Sequence, residues 1–80
     1  MKKIIIETDF IKLDQLLKFA EIVDSGGLAK LLISEGMVKL NKSICTQRGK
    51  KIIHDDIVDV AMPLEDGTTE NHRLKVIKRG

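Results

Sequence analysis

Lys39, Lys42, Arg48, Lys50 and Lys51 all fall between Gly36 and Ile53, a stretch without a single aspartate or glutamate. Side chains of these types at this density bind phosphate. Lysine offers a point charge, while the planar arginine fork can grip two oxygens at once or stack on a base. Arg48 is therefore the most informative single side chain of the group. The formal net charge of +2 conceals this asymmetry, because the acids gather before the stretch, from Glu7 to Glu35, and after it, from Asp55 to Glu70. Local charge, rather than the total, governs what such a surface attracts. The competing interpretation is an ordinary solvated hairpin whose lysines serve solubility and edge protection.

Other chemistries are less well provided for. His54 and His72, with Asp55, Asp56 and Cys45, lack any recognised ligand spacing, so neither metal binding nor acid–base catalysis is expected. A single cysteine cannot build a disulfide framework or a multi-cysteine zinc site, which makes a reducing cytoplasm the expected compartment. Cys45 reads as a small apolar strand residue. Eighty residues make one domain, 1–80, with little surplus stability for a buried polar catalytic centre, so a binding module without cofactor or enzymatic activity is expected. Two phenylalanines and no Trp or Tyr leave a core of Ile, Leu and Val and disfavour the RNA-binding folds that stack bases on aromatic rings. Met1-Lys2-Lys3 is followed by only three apolar residues before Glu7, too few for a signal-peptide core or a membrane span.

These groups must be positioned by short elements. Lys3 to Glu7 is a β-branched run and predicts a strand. Leu13, Leu16, Leu17, Ala20 and Val23 recur at helical spacing and predict a first helix over Leu13 to Val23, with Asp14 at its positive end. Ser25 is placed to cap a second helix over Gly26 to Glu35, buried through Ala29, Leu32 and Ile33 and closed by Gly36. Gly26, Gly27, Lys30 and Ser34 fall on another side of it. Two glycines in its first turn weaken the helix by about 1 kcal/mol each. Close packing of the two helices is the favoured compensation, ahead of phosphate access to the free amides. Leu28 and Leu31 either pack under neighbouring strands, the preferred expectation, or leave an apolar strip at the surface.

Val38 and Leu40 alternate with Lys39 and Asn41, predicting a hairpin whose inward residues are Val38, Leu40 and Ile44. Asn41 tolerates the left-handed conformation, but Lys42 replaces the usual following glycine, so a turn longer than two residues is expected. For Asn41, turn geometry is the leading role and base contact the second. Arg48-Gly49-Lys50-Lys51 follows as a basic loop. Asp55-Asp56 predicts a turn, Ile57 to Met62 a strand, Pro63 a turn or strand edge, and Arg73 to Lys78 a final strand with one solvated face. The expected fold is α+β: two packed N-terminal helices against a small antiparallel sheet, with an added N-terminal strand and a C-terminal hairpin.

Lys12-Leu13-Asp14 with Leu16-Leu17, Ser25, Ala29-Lys30, Leu32-Ile33, Gly36, Val38-Lys39-Leu40-Asn41 and Asp56-Ile57-Val58 occur in an order that resembles the S-four RNA-binding domain, the αL module. The likeness covers Ile11 to Val60, a core motif of about 11–60. Ser25-Gly26-Gly27 and Thr46-Gln47-Arg48-Gly49-Lys50-Lys51 are most similar to the free-standing bacterial proteins of the YaaA and YbcJ type. The resemblance implies binding to structured RNA, ribosomal RNA above all, and a part in maturation of the large ribosomal subunit. It also implies an RNA-facing surface made of Lys12, Ser25, Gly26, Gly27, Lys30, Lys39, Asn41, Lys42, Arg48, Lys50 and Lys51.

Two further classes of function compete with this one. A protein-interaction adaptor would use Leu28 and Leu31, against a ribosomal protein or a second copy, with the basic loop meeting an acidic partner. An enzyme subunit is the other, since such modules also occur appended to pseudouridine synthases, but nothing in these residues encodes a catalytic domain.

Overall fold

The computed structural model describes all of residues 1–80. Chain order is β1 (Lys2–Ile6), β2 (Ile11–Lys12), α1 (Leu13–Phe19), α2 (Gly26–Ser34), β3 (Val38–Leu40), β4 (Ser43–Ile44), β5 (Lys51–Ile52), β6 (Ile57–Pro63) and β7 (Thr69–Lys78). Five strands form one sheet in the order β1-β7-β6-β3-β4, and β2 pairs with β5 in a separate two-stranded ribbon. The fold is α+β, as expected. One pairing differs: β1 lies parallel to β7, Ile4 opposite Val76, so the sheet is mixed rather than wholly antiparallel. No helix is long and apolar enough to cross a membrane.

Helix α1 stops four residues before the predicted Val23. Glu21 takes a left-handed conformation, φ 60°, and the last turn closes through Glu21 N–H to the Lys18 carbonyl and Ile22 N–H to the Leu17 carbonyl, both at 3.0 Å. This is the paired bonding of a Schellman termination, here without its customary glycine. Ala20 and Val23 are still buried, so their periodic spacing reflected burial and not helix. Helix α2 ends the same way at Gly36, φ 76°, and begins as predicted, with Ser25 Oγ accepting from the Leu28 amide at 3.2 Å.

The sixteen buried residues are all apolar. Strand alternation sends Ile4 and Ile6, Val38, Val58 and Val60, and Leu74 and Val76 into the core with the buried faces of both helices. The opposite face of the sheet carries Lys39, Asp59, Ala61, Asn71, Arg73 and Lys75 and has no helix over it. The hairpin turn is tighter than predicted: Leu40 faces Ser43 directly, and Asn41 and Lys42 both adopt positive φ, 49° and 74°. Two consecutive left-handed residues make the turn that matches strand twist. A two-residue turn places Ile44 opposite Lys39, on the open face, and Ile44 is 62% exposed instead of buried.

Candidate nucleic-acid interface

The basic loop is held against α1 by the backbone. Helix α1 has no side-chain cap at Lys12. Its first amides instead donate to the loop: Leu13 N–H to the Lys50 carbonyl at 2.9 Å and Asp14 N–H to the Arg48 carbonyl at 3.0 Å. Those amides would otherwise lack partners, so the loop and the helix start satisfy each other. The ribbon completes the clamp, with Lys12 opposite Lys51 and Ile11 opposite the fully buried Ile52. Lys12, Arg48, Lys50 and Lys51, far apart in sequence, thus form one exposed group. No periodicity or turn residue marks the two-residue strand pairing that assembles them.

Lys51 has its Nζ 4.7 Å from the centre of the Phe10 ring, a cation–π contact that steadies it without neutralising it. None of Lys12, Lys30, Lys39, Lys42, Arg48, Lys50 and Lys51 lies within salt-bridge distance of an acid. A shallow groove of about 280 Å³, lined by Leu40, the segment from Ser43 to Gln47 and Lys50, joins the loop to the hairpin. Lys39 and Lys42 line a larger hollow on the far side of the hairpin. No Cβ neighbour crowds Gly49.

Asn41 belongs to the scaffold. Its Nδ2 donates to Asp56 Oδ1 at 3.0 Å, and its Oδ1 accepts from the Ile57 amide at 2.9 Å. Asp56 Oδ2 in turn accepts from the Ile53 amide at 2.9 Å. These bonds fasten the hairpin turn to the start of β6, which is the turn-geometry role expected first.

The Ser25-Gly26-Gly27 start of α2 lies beside Lys18, away from the loop group. A Cβ on Gly26 would meet only the Lys18 side chain, at 4.0 Å, and one on Gly27 would meet nothing. The close-packing explanation for the two glycines is therefore overturned, since both stand open at the surface. Lys18 sits at the C-terminal end of the seven-residue α1, so these glycines lie roughly 10 Å along the helix from Lys12. Lys18 itself, exposed beside them, escaped the sequence reading.

Leu31 is 53% exposed, contrary to the preferred expectation of burial. Leu28 is half-buried against the core. The expected strip thus reduces to one exposed leucine. His54 Nδ1 accepts from the Lys78 amide at 2.9 Å, and His72 Nε2 meets Glu70 Oε1. Cys45 is partly buried just past β4, its thiol 3.9 Å from the Gln47 carbonyl.

Two helices on one face of a small sheet, with a basic loop locked to the first helix and a hairpin fastened to β6, define a compact binding module and leave the loop and hairpin cations unpaired. The chain belongs to the S4 domain family, whose family model matches residues 4–65. It is also similar to the probable ribosome maturation protein RlbA of Bacillus subtilis (strain 168), with 40% identity over 55 residues, 69% of this chain and 78% of that protein.

Proposed function

We propose that this protein is an RNA-binding module without catalytic chemistry that docks on structured ribosomal RNA and acts in the cytoplasm in maturation of the large ribosomal subunit. The observation that carries the reading is the backbone-locked cluster of Lys12, Arg48, Lys50 and Lys51, all exposed and none paired with an acid. Membership of the S4 domain family and similarity to a ribosome maturation protein support it. Lys39 and Lys42 extend the surface across the hairpin. Ser25, Gly26, Gly27 and Lys30 offer a second contact region along α1, and Asn41 serves by holding the turn.

The mechanism is electrostatic docking. A folded RNA presents phosphates at fixed spacings, and cations held on rigid backbone meet them with little ordering cost. If Lys12, Lys30, Lys39, Arg48, Lys50 and Lys51 each meet a phosphate, log affinity should fall with log salt at a slope of about −4 to −5. A slope near zero would sink the reading.

Association with particles is tested by sedimenting a lysate with and without ribonuclease. The protein is expected in the ribosomal fractions only while RNA is intact, and with large-subunit precursors rather than small-subunit ones. Absence from all ribosomal fractions overturns the function. Retention after stringent RNA removal favours the adaptor reading through the exposed Leu31 instead.

A further inference from the structure

The open face of the sheet contains a hollow of about 720 Å³, within the roughly 300–1,000 Å³ range of small-ligand clefts. Its origin is legible in the strand register. One row across the sheet runs Lys39, Asp59, Arg73, adjacent residues being direct partners. In the next row Ala61 is opposite Asn71, and its amide donates to the Met37 carbonyl at 2.8 Å. Alanine is the smallest side chain available to that outward position, and Gly36 beside it carries none. The sheet is therefore dished where its neighbours carry long cations. Lys42, from the hairpin turn, lies over the rim.

The charges in the hollow are unevenly committed. Asp59 is its only acid, and it is engaged: its Oδ1 accepts from Arg73 Nε at 2.7 Å. That bond and the carboxylate's charge hold the guanidinium above its ordinary pKa. The bond uses Nε alone, so both terminal nitrogens of Arg73 have no protein partner. Asp59 thus steadies the fork and leaves its gripping end free. Lys39, although it faces Asp59 across the sheet, and Lys42 form no ion pair. Met37 and Ala61 supply an apolar floor, and the exposed Asn71 amide offers both a donor and an acceptor.

We infer that this hollow receives one unpaired nucleotide of the bound RNA, its phosphate against Lys39, Lys42 and the free end of Arg73 and its base on the Met37–Ala61 floor beside Asn71. The inference rests on the proposed RNA-binding function and adds to it a subsite with base-reading chemistry, built partly from β7, beyond the residues that match the family. Unpaired, splayed nucleotides are the parts of RNA that offer base edges to a protein. Charge complementarity and the continuity of Lys39 and Lys42 with the loop surface select RNA as the occupant.

The test compares two variants of the full chain, Ala61→Leu, which fills the hollow and leaves every charge in place, and Arg73→Gln. Binding to purified ribosomal RNA is measured across salt concentrations. Ala61→Leu should lower affinity by about tenfold with the salt slope unchanged, and Arg73→Gln should weaken binding and flatten the slope by about one. Circular dichroism of each variant establishes that it folds, and should Ala61→Leu fail to fold, Ala61→Val replaces it with the same expectation. In amide NMR spectra, an RNA hairpin with one bulged nucleotide should shift Ala61, Asn71 and Arg73, whereas a fully paired hairpin should leave them in place. A free nucleoside monophosphate should shift them only at much higher concentration.

Wild-type binding with a steep salt slope, joined to unchanged binding by both variants, overturns the subsite and leaves the RNA function standing. Equal saturation by free nucleotide at low concentration assigns the hollow to a small ligand and overturns the inference. Failure of the wild type to bind ribosomal RNA overturns both.

Discussion

Arg73, Lys75, Lys78 and Arg79, on β7 and just beyond it, sit 2.7, 3.7, 2.5 and 3.3 Å from Asp59, Asp55, Asp9 and Glu7 respectively, whereas the seven cations of the loop, hairpin and α2 surface form no ion pair. Both regions are rich in exposed lysine and arginine. Around β7, which lies between β1 and β6, acids stand within β6 (Asp59), just before it (Asp55) and just after β1 (Glu7 and Asp9), and pair with its cations. Lys39 also faces Asp59, but that carboxylate is already bonded to Arg73. The loop contacts α1 through carbonyl oxygens, which bring no countercharge. Surface ion pairs contribute little to stability, yet they cancel the local field. One edge of the molecule is electrically quiet and the other is not, and Arg73, paired through a single nitrogen, stands at the boundary.

The largest expected effect sets these regions against each other. A triple variant, Arg48→Gln with Lys50→Gln and Lys51→Gln, should lower ribosomal RNA affinity by about 100-fold at ~0.1 M salt and flatten the salt slope by about 2 to 3. A double variant, Lys78→Gln with Arg79→Gln, should change binding less than about twofold, because those charges are already compensated. Filter binding over a salt series measures both. Equal losses would mean that pairing does not decide which cations the RNA meets.

Asn41 sharpens the contrast from within the basic region. Alanine there loses two side-chain hydrogen bonds and must still hold a left-handed φ of 49°, so Asn41→Ala should destabilise the fold by about 1–3 kcal/mol. For a domain of this size that is a fall in Tm of roughly 5–20 °C. The salt slope of RNA binding should not move. A flattened slope with unchanged Tm would make Asn41 an RNA contact instead of a clasp.

Much of this organisation could be read from residue types. The fold class, both helix starts, the Ser25 cap, the Gly36 termination and the four longest strands follow from periodicity and from residues with one strong local preference. The misses share a cause, which is that tertiary pairing overrode a local signal. Val23 kept its periodic burial after the helix had ended, because Glu21 adopted a conformation that glutamate rarely takes. Ile44 reads as inward until the two-residue turn fixes its partner as Lys39. The β2–β5 ribbon, with two residues a side, carries no periodicity to detect, and yet it joins Lys12 to the basic loop. Arg73 is the first residue of the predicted final strand and Asn71 lies before it, whereas β7 begins at Thr69; only the sheet order shows that they share a hollow with Lys39.

Arg48 offers a smaller test of how the unpaired edge works. If it acts only as a charge, Arg48→Lys should be silent; if its fork grips a phosphate or stacks on a base, the change should cost a few-fold in affinity with the salt slope preserved. We expect the second outcome, since the Arg48 carbonyl is bonded to the Asp14 amide and the backbone that carries the fork is thereby fixed. Indistinguishable binding at matched salt would reduce the loop to a field of point charges.

The smallest effect is expected at the quiet edge, and it appears in stability rather than binding. The hydrogen bond from Lys78 Nζ and the lysine's charge hold the Asp9 carboxyl below its ordinary value of 3.8. A carboxyl whose pKa is depressed in the folded state contributes stability above its unfolded pKa and loses it as pH falls through the folded one. Asp9→Asn should therefore leave neutral-pH stability nearly unchanged, because the pair lies at the surface and is screened. Below about pH 4, where the wild type surrenders the contribution, the variant should show a shallower decline. Urea unfolding at closely spaced pH values between about 2 and 5 measures it. The effect should shrink in high salt, and RNA binding at neutral pH should be the same for both proteins. A variant that instead binds RNA more tightly would show that Asp9 restrains Lys78 from the RNA, and the paired edge would then be a masked extension of the unpaired one.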